Sequence, residues 1–364
     1  MSWAASLSAI PPHLHRSASR ERSRRVQLCE SAVALVAVMA ALFASPLARA
    51  APVANVPVSV VEPWDSFFSV AFTPSGRCYV VGAEGAMLTS TDGGRHWKRS
   101  AIAERGDLSW WDLHSIRFAP DGLSGWIGGE NGLILKSTDG GQTWNAQTSG
   151  TNENIFRIAV VDSKTAFASG TGGLLMGTTD GGQHWQMQTQ KSGLIFFDLS
   201  FTDANDGWAV GEFETILHTA DGGKTWNPQM GGKRANFKLP ALFAISFRDA
   251  QHGWAAGQGG TLLRTENGGS TWQTVNTPSA SPMYSVVYFG GAANSASQEL
   301  WGSGDGGALL HVELNGGAPA VQTPTVFSLS DVAFNGNNGV AVGLGGTIVH
   351  TSDGGAHWMV VTGK

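Results

Sequence analysis

The chain has 364 residues, among them 49 Gly, 14 Trp and two Cys, and carries a formal charge of −5. An acidic chain is a poor match for nucleic acid or for an anionic lipid surface. Of the two cysteines only Cys78 lies beyond the leader, so an intrachain disulfide is excluded in the mature chain.

Arg16, Arg20, Arg22, Arg24 and Arg25 precede an apolar run from Ser31 to Ala44, and Pro46 and Ala48-Arg49-Ala50 follow it. That order predicts a secretory signal over residues 1–50, cleaved before Ala51. The run of 14 residues is too short to span the bilayer core as a helix. Ser23-Arg24-Arg25 is similar to a twin-arginine signal, although Gln27 departs from that pattern, and Cys29 precedes the apolar run, which excludes a lipid attachment site. Cleavage removes six Arg and two Glu and takes the charge from −5 to −9. The expected location is periplasmic, in a compartment resembling the thylakoid lumen, or secreted.

From Trp64 onward the sequence repeats. Each unit opens with a short apolar run: FFSVAF from Phe67, LHSIRF from Leu113, IFRIAV from Ile155, FFDLSF from Phe196, FAISF from Phe243, YSVVYF from Tyr284 and SLSDVAF from Ser328. A GW-x-x-G phrase follows, clearest at Gly125, Gly207 and Gly253. Six units then carry an eight-residue phrase, STDGGRHW, STDGGQTW, TTDGGQHW, TADGGKTW, TENGGSTW and TSDGGAHW, ending at Trp97, Trp144, Trp185, Trp226, Trp272 and Trp358. The last Trp-to-Trp step, 86 residues, is twice the others, so a decayed copy is expected near Asn315-Gly316-Gly317, with Ala320 in place of the Trp. Short alternating runs bracketed by Gly, Asp and Asn predict strands. Four strands in each unit of about 43 residues predict an all-β, seven-bladed propeller of four-stranded antiparallel blades. The blades fall at approximately 64–100, 111–148, 154–190, 194–230, 241–276, 282–322 and 326–362, making residues 51–364 a single domain. In each blade the first run is innermost and the strand after the Trp is outermost. VPVSVVEP, before blade one, is a candidate latch onto the last blade.

The eight-residue phrase resembles the Asp-box, a hairpin motif of several propeller families. Its Asp (Asp92, Asp139, Asp180, Asp221 and Asp353, with Asn267 in the fifth unit) is expected to accept backbone amides two or three residues on. The Gly pair supplies positive φ angles, and the Trp covers the hairpin. In families with this motif it lies at the periphery, away from the axis, so these residues are read as structural. His96, His184 and His357 share one position of the phrase, and His218, His311 and His350 share one position of the third strand. Residues that are equivalent in different blades do not converge on a metal, so a metal is not expected. Asp203, Asn205 and Asp206 read as a polar turn in place of a calcium loop. The Gly-rich runs open no helix, which leaves no phosphate cradle and no cofactor site.

Two connections depart from the repeat. AIAERGDLSWWDL carries Trp110 and Trp111, and GGKRANFKLP carries Lys233, Arg234, Phe237 and Lys238. With Glu84, Glu130, Glu212, Glu214 and Asp305 of the turns between second and third strands, they fall on the face opposite the Asp-box hairpins. Loops that deviate from a scaffold's repeat are where function concentrates, so this face is the candidate partner-binding surface.

Taken together, L-x-x-[IV]-x-F followed by GW-x-x-G and DGG-x-x-W resembles the photosystem II stability and assembly factor family over Trp64 to Trp358. FFDLSFTDANDGWAVGEFETILHTADGGKTW is the fullest example. The resemblance implies an exported, monomeric, non-catalytic propeller, at most peripheral to the membrane, that binds an immature membrane-protein subunit and aids its assembly. In photosynthetic members the resemblance further implies contact through a basic surface, whereas here the only evident basic cluster is Lys233, Arg234 and Lys238. Two alternatives stand beside it. A sialidase-like glycoside hydrolase would require Tyr79, Tyr284 or Tyr288 as nucleophile, with Arg117, Arg157 and Arg248 pointing into the channel. A carbohydrate- or peptide-binding module would use Trp110 and Trp111 for stacking.

Overall fold

The computed structural model describes residues 60–100, 111–189, 192–232, 238–290, 298–313 and 319–361. It contains seven four-stranded sheets in which every strand pairs with its sequence neighbours. In blade two the order from the axis outward is Leu113–Phe118, Gly125–Gly129, Ile134–Ser137 and Asn145–Gln147. Innermost strands pack side by side round the ring, and Leu329–Asn335 of blade seven packs on Phe67–Phe72 of blade one. The ring is therefore closed, a seven-bladed β-propeller.

Closure is by packing. Val340, Val342 and Ile348 of blade seven share a core with Phe67, Val70, Val80 and Leu88 of blade one, and Val60 and Val61 join it. Gly346 N of blade seven donates to the Asp65 carbonyl at 2.7 Å. The start of VPVSVVEP lies outside the described residues, as do the leader and the decayed turn at Asn315–Gly317.

The two consecutive bulky residues that open most inner strands break strict alternation, and the structure shows why. In each blade the pairing of the first two strands skips one residue, Phe68, His114, Phe156, Phe197, Phe243, Tyr284 and Ser330 in turn. Such a bulge frees the extra residue from the pleat and redirects its side chain. Opposite each bulge stands the last Gly of the second strand. A Cβ on Gly129 would collide with the Asp112 carbonyl oxygen, and Gly82, Gly170 and Gly343 are confined in the same way. The same Asp112 carbonyl accepts Glu130 N at 3.1 Å, which fixes the turn into the third strand.

The eight-residue phrase forms the hairpin between third and fourth strands. Asp139 Oδ1 accepts Gln142 N at 2.9 Å and Thr143 N at 3.0 Å. The amides captured are thus three and four residues on, one further than the turn reading expects, because Ser137 also participates: its hydroxyl donates to Asp139 Oδ1 and accepts Gly141 N, both at 2.8 Å. Oδ2 takes the side chain four residues on, which is Thr143 at 2.6 Å here and His96, His184 or His357 in other blades. That contact accounts for the His/Thr alternation at this position.

The hairpin Trp does more than cover its own turn. Trp144 packs with Tyr79 of blade one, Trp185 with Trp126 of blade two, and Trp358 with Trp301 of blade six. Each fills the interface with the preceding blade, where burying a large side chain contributes roughly 1.5–3 kcal/mol. The second-strand Trp has a partner of its own across the sheet: Lys136 lies over Trp126, His218 packs at a tilt on Trp208 and His311 stacks on Trp301. Two of the third-strand histidines, His218 and His311, have this role, whereas His350 faces Val340. Among the described residues no three His, Cys, Asp or Glu side chains group as metal ligands.

Candidate functional site

The turns between second and third strands and the connections between blades make one face of the ring. Of the candidate residues, Trp110, Lys233, Arg234 and Phe237 lie outside the described residues. Trp111 is half-buried against the core shared by blades one and two, and Lys238 is exposed. Three of the acids hold neighbouring groups, two of them backbone amides. Glu130 Oε2 accepts Asp112 N at 3.2 Å, Glu212 Oε2 accepts Ile195 N at 2.9 Å, and Asp305 accepts the Ser328 hydroxyl. Glu84 is exposed, with its amide on Asp112 Oδ1 at 2.9 Å.

The turn of blade four is strained. Phe213 and Glu214 both have positive φ, 56° and 55°. Where Glu214 sits, the other six blades have Gly85, Gly132, Gly173, Gly260, Gly307 and Gly346, all with positive φ. Left-handed backbone at a residue with a Cβ is unfavourable and concentrates at functional segments. Burial raises the Glu214 carboxyl above its ordinary pKa. The strained turn adjoins the connection that carries Lys238, since Glu214 N donates to the Pro240 carbonyl at 2.6 Å.

At the axis the bulges bring together residues that, apart from Tyr284 in the glycosidase alternative, sequence reading treated only as strand interior. Phe68, His114, Phe156, Phe197, Phe243 and Tyr284 form a chain of ring contacts from blade one to blade six, with centroids 5.8, 5.3, 6.1, 5.2 and 5.8 Å apart. All six are half-buried, and Ser330 of blade seven breaks the belt. His114 Nδ1 lies 3.1 Å from the Ile155 carbonyl, which makes Nδ1 the protonated nitrogen. Burial, outweighing the nearby Asp112 and Glu130, lowers its pKa, so the imidazole is neutral near pH 7. Burial and the charge of Asp305 push the Tyr284 hydroxyl up to about 12.

One residue further along the inner strands, polar side chains join the blades. The Ser69 hydroxyl accepts Ile116 N, Ser115 accepts Ile158 N, and Asp198 accepts Ile245 N. Asp331 of blade seven accepts the Ser69 and Ser285 hydroxyls, at 2.9 and 2.7 Å, and Val70 N at 3.2 Å. It also pairs with Arg117 of blade two and Arg157 of blade three, both at 3.2 Å. Arg157 Nε reaches Asp198 of blade four at 2.8 Å. Two guanidinium groups and two carboxylates therefore bridge the axis, with no net charge. Burial alone would raise the Asp331 pKa, but the charges of Arg157 and Arg117 and the Ser285 and Ser69 hydroxyls hold it far below the carboxylate range.

Arg117 and Arg157 thus do point to the channel, and both are already paired. Arg248 does not join them: its Nε pairs with Asp249 at 3.0 Å and its guanidinium lies 5.9 Å from the Tyr288 ring. The Tyr79 hydroxyl is buried and donates to the Gly140 carbonyl. The recurrent outer-strand Gln is a further device missed in the sequence. Gln147, Gln188 and Gln229 donate to the hairpin carbonyls of Gly181, Gly222 and Gly268 in the next blade, at 2.8–2.9 Å.

The family model of the photosynthesis system II assembly factor YCF48 matches residues 51–149, 143–227 and 188–286. No curated protein sequence matches the chain. Among solved structures, YCF48 bound to a D1 peptide superposes with a TM-score of 0.62 at 20% identity, covering 83% of this chain and 99% of that one. YCF48 from Cyanidioschyzon merolae superposes with a TM-score of 0.64 at 19% identity, covering 81% of this chain and 98% of that one. The GH74 xyloglucanase from Xanthomonas campestris also has a TM-score of 0.64, at 14% identity, but the match covers 84% of this chain and only 55% of the enzyme. These structural likenesses establish the propeller fold, and the family match extends over most of the chain. The chain belongs to the photosynthesis system II assembly factor YCF48 family.

Proposed function

We propose that this protein is an exported, non-catalytic propeller that binds a segment of an immature membrane-protein subunit on its loop face and holds it during assembly of the complex. The observation that carries this reading is the family match, joined to the fact that one YCF48 of the same fold was solved with a D1 peptide bound. The arginine-rich leader and the apolar run after it support action in the periplasm or a comparable compartment. The glycosidase alternative has support from fold likeness to GH74 enzymes, but the channel arginines it would need are paired with Asp198 and Asp331. Deleting the gene should make one unassembled membrane-protein subunit accumulate, and the purified propeller should bind that subunit more tightly than the assembled complex. Normal assembly of every membrane complex in the deletion strain, or release of sugar from sialosides or glucans by the purified protein, would overturn the proposal.

A further inference from the structure

We propose that the axial aromatic belt is a binding site for a cationic side chain, Arg or Lys, carried by an extended segment of the protein partner and entering from the loop face. The inference rests on the partner-binding reading and names the chemistry of its centre. It reverses the polarity that the family resemblance implies, in which the propeller presents the basic surface.

Three observations converge. The belt is built, since in every blade a bulge and a confining Gly turn one residue out of the pleat, and in six blades that residue carries an aromatic ring. Centroids 5.2–6.1 Å apart on a sevenfold ring lie roughly 6–7 Å from its axis, so a cation slightly off the axis comes within about 6 Å of ring centroids, the range of cation–π attraction. The second observation is the charge around the belt. The turns and connections of this face carry Glu84, Asp112, Glu130, Glu153, Glu212, Glu214 and Asp305, against the Lys233, Arg234 and Lys238 cluster of one connection and Arg99, which is paired with Asp65. The third is the floor. The paired arginines below the belt add no net charge and cross the axis. An aromatic wall under an acidic rim, with a charge-balanced floor, fits one cationic group on an apolar stem. An apolar residue would gain nothing from the rim, and a carboxylate would be repelled by it.

The test uses the mature protein and end-blocked pentapeptides with a common apolar frame and Arg, Lys, norleucine or Glu at the centre, measured by calorimetry. The Arg and Lys peptides should bind at least about tenfold more tightly than the norleucine peptide, the Glu peptide more weakly still, and the preference should shrink as salt is raised. The Phe156→Leu/Phe197→Leu double variant keeps an apolar lining, and its folding is checked by thermal unfolding; it should lose about tenfold in affinity for the Arg peptide. Should that variant fail to fold, Phe243→Leu alone should give a smaller loss in the same direction. Equal binding of the Arg and norleucine peptides, tighter binding of the Glu peptide, or unchanged affinity in the variants would overturn the site. If the variants lose the Arg peptide yet still bind the unassembled subunit unchanged, the belt is not where that partner enters. Loss of subunit binding in the parent protein would instead remove the assembly reading, and the peptide measurement would stand alone.

Discussion

Arg157, on the innermost strand of blade three, donates to Asp331, on the innermost strand of blade seven, at 3.2 Å. The two blades are not neighbours in either direction, so this contact spans the axis. With the Ser69, Ser285 and Arg117 contacts it ties five blades to one buried carboxylate. Removing that carboxylate leaves two buried cations undercompensated, and breaking buried pairs in this way costs about 3–5 kcal/mol. Asp331→Ala should lower the midpoint of urea unfolding by a corresponding amount. A loss below about 1 kcal/mol would mean that solvent or Asp198 compensates the arginines.

The same pairing sets a pH dependence. Because the folded-state pKa of Asp331 is depressed, its contribution is fully present above the unfolded carboxyl value of about 4 and is lost as pH falls through the folded value. The parent protein should therefore lose stability steeply below about pH 4. Asp331→Asn should be less stable at pH 7 but show a shallower acid slope, since the exposed hairpin aspartates titrate alike in both proteins and cancel in the comparison. Parallel stability curves from pH 7 to pH 2 would contradict the assignment.

Glu214 stands in left-handed backbone where every other blade has Gly. Glu214→Gly should relieve strain of about 1 kcal/mol and raise the unfolding midpoint. If the strain serves partner binding, the stabilised variant should also bind the subunit more weakly. A destabilised variant would show that the Glu214 side chain has contacts that outweigh its backbone.

Blade six lacks the hairpin Trp, with Ala320 in its outer strand, Ala320–Gln322. Losing that large buried side chain should make it the first blade to open. Hydrogen exchange should be faster for amides of Leu309–Glu313 than for Ile216–Thr219 in blade four, where Trp226 is present. Equal protection would mean that neighbouring contacts, such as that of Gln322 with the Gly355 carbonyl at 3.3 Å, hold the blade as well as a Trp would.

The fold was legible because the repeat writes it seven times, and errors in one unit are corrected by the others. The hairpin Asp, Gly and Trp could be read as structural from their chemistry and from the resemblance to the Asp-box. Their inter-blade partners could not, because a Trp at a fixed offset says that something large is buried and not which blade receives it. The aromatic belt was hidden for a different reason. Phe197 after Phe196, or His114 after Leu113, looks like a minor lapse in alternation until the facing Gly is seen to force a bulge. The signal was present as six paired exceptions, each with a Gly at the far end of the next strand. The axial ion pairs had no local signature, since Arg117, Arg157, Asp198 and Asp331 lie in four different units and meet only when the ring closes.

The central claim, that the loop face receives a membrane-protein subunit, is tested most directly by site-specific photocross-linking in the native host. A photoreactive residue at Trp64, 77% exposed beside the blade-seven turn on this face, is compared with one at Leu123, 56% exposed on the hairpin face. The account predicts one dominant cross-linked membrane subunit from position 64, in its unassembled form, and none from position 123. The same subunit captured from position 123, or no membrane-protein adduct from position 64, would contradict it.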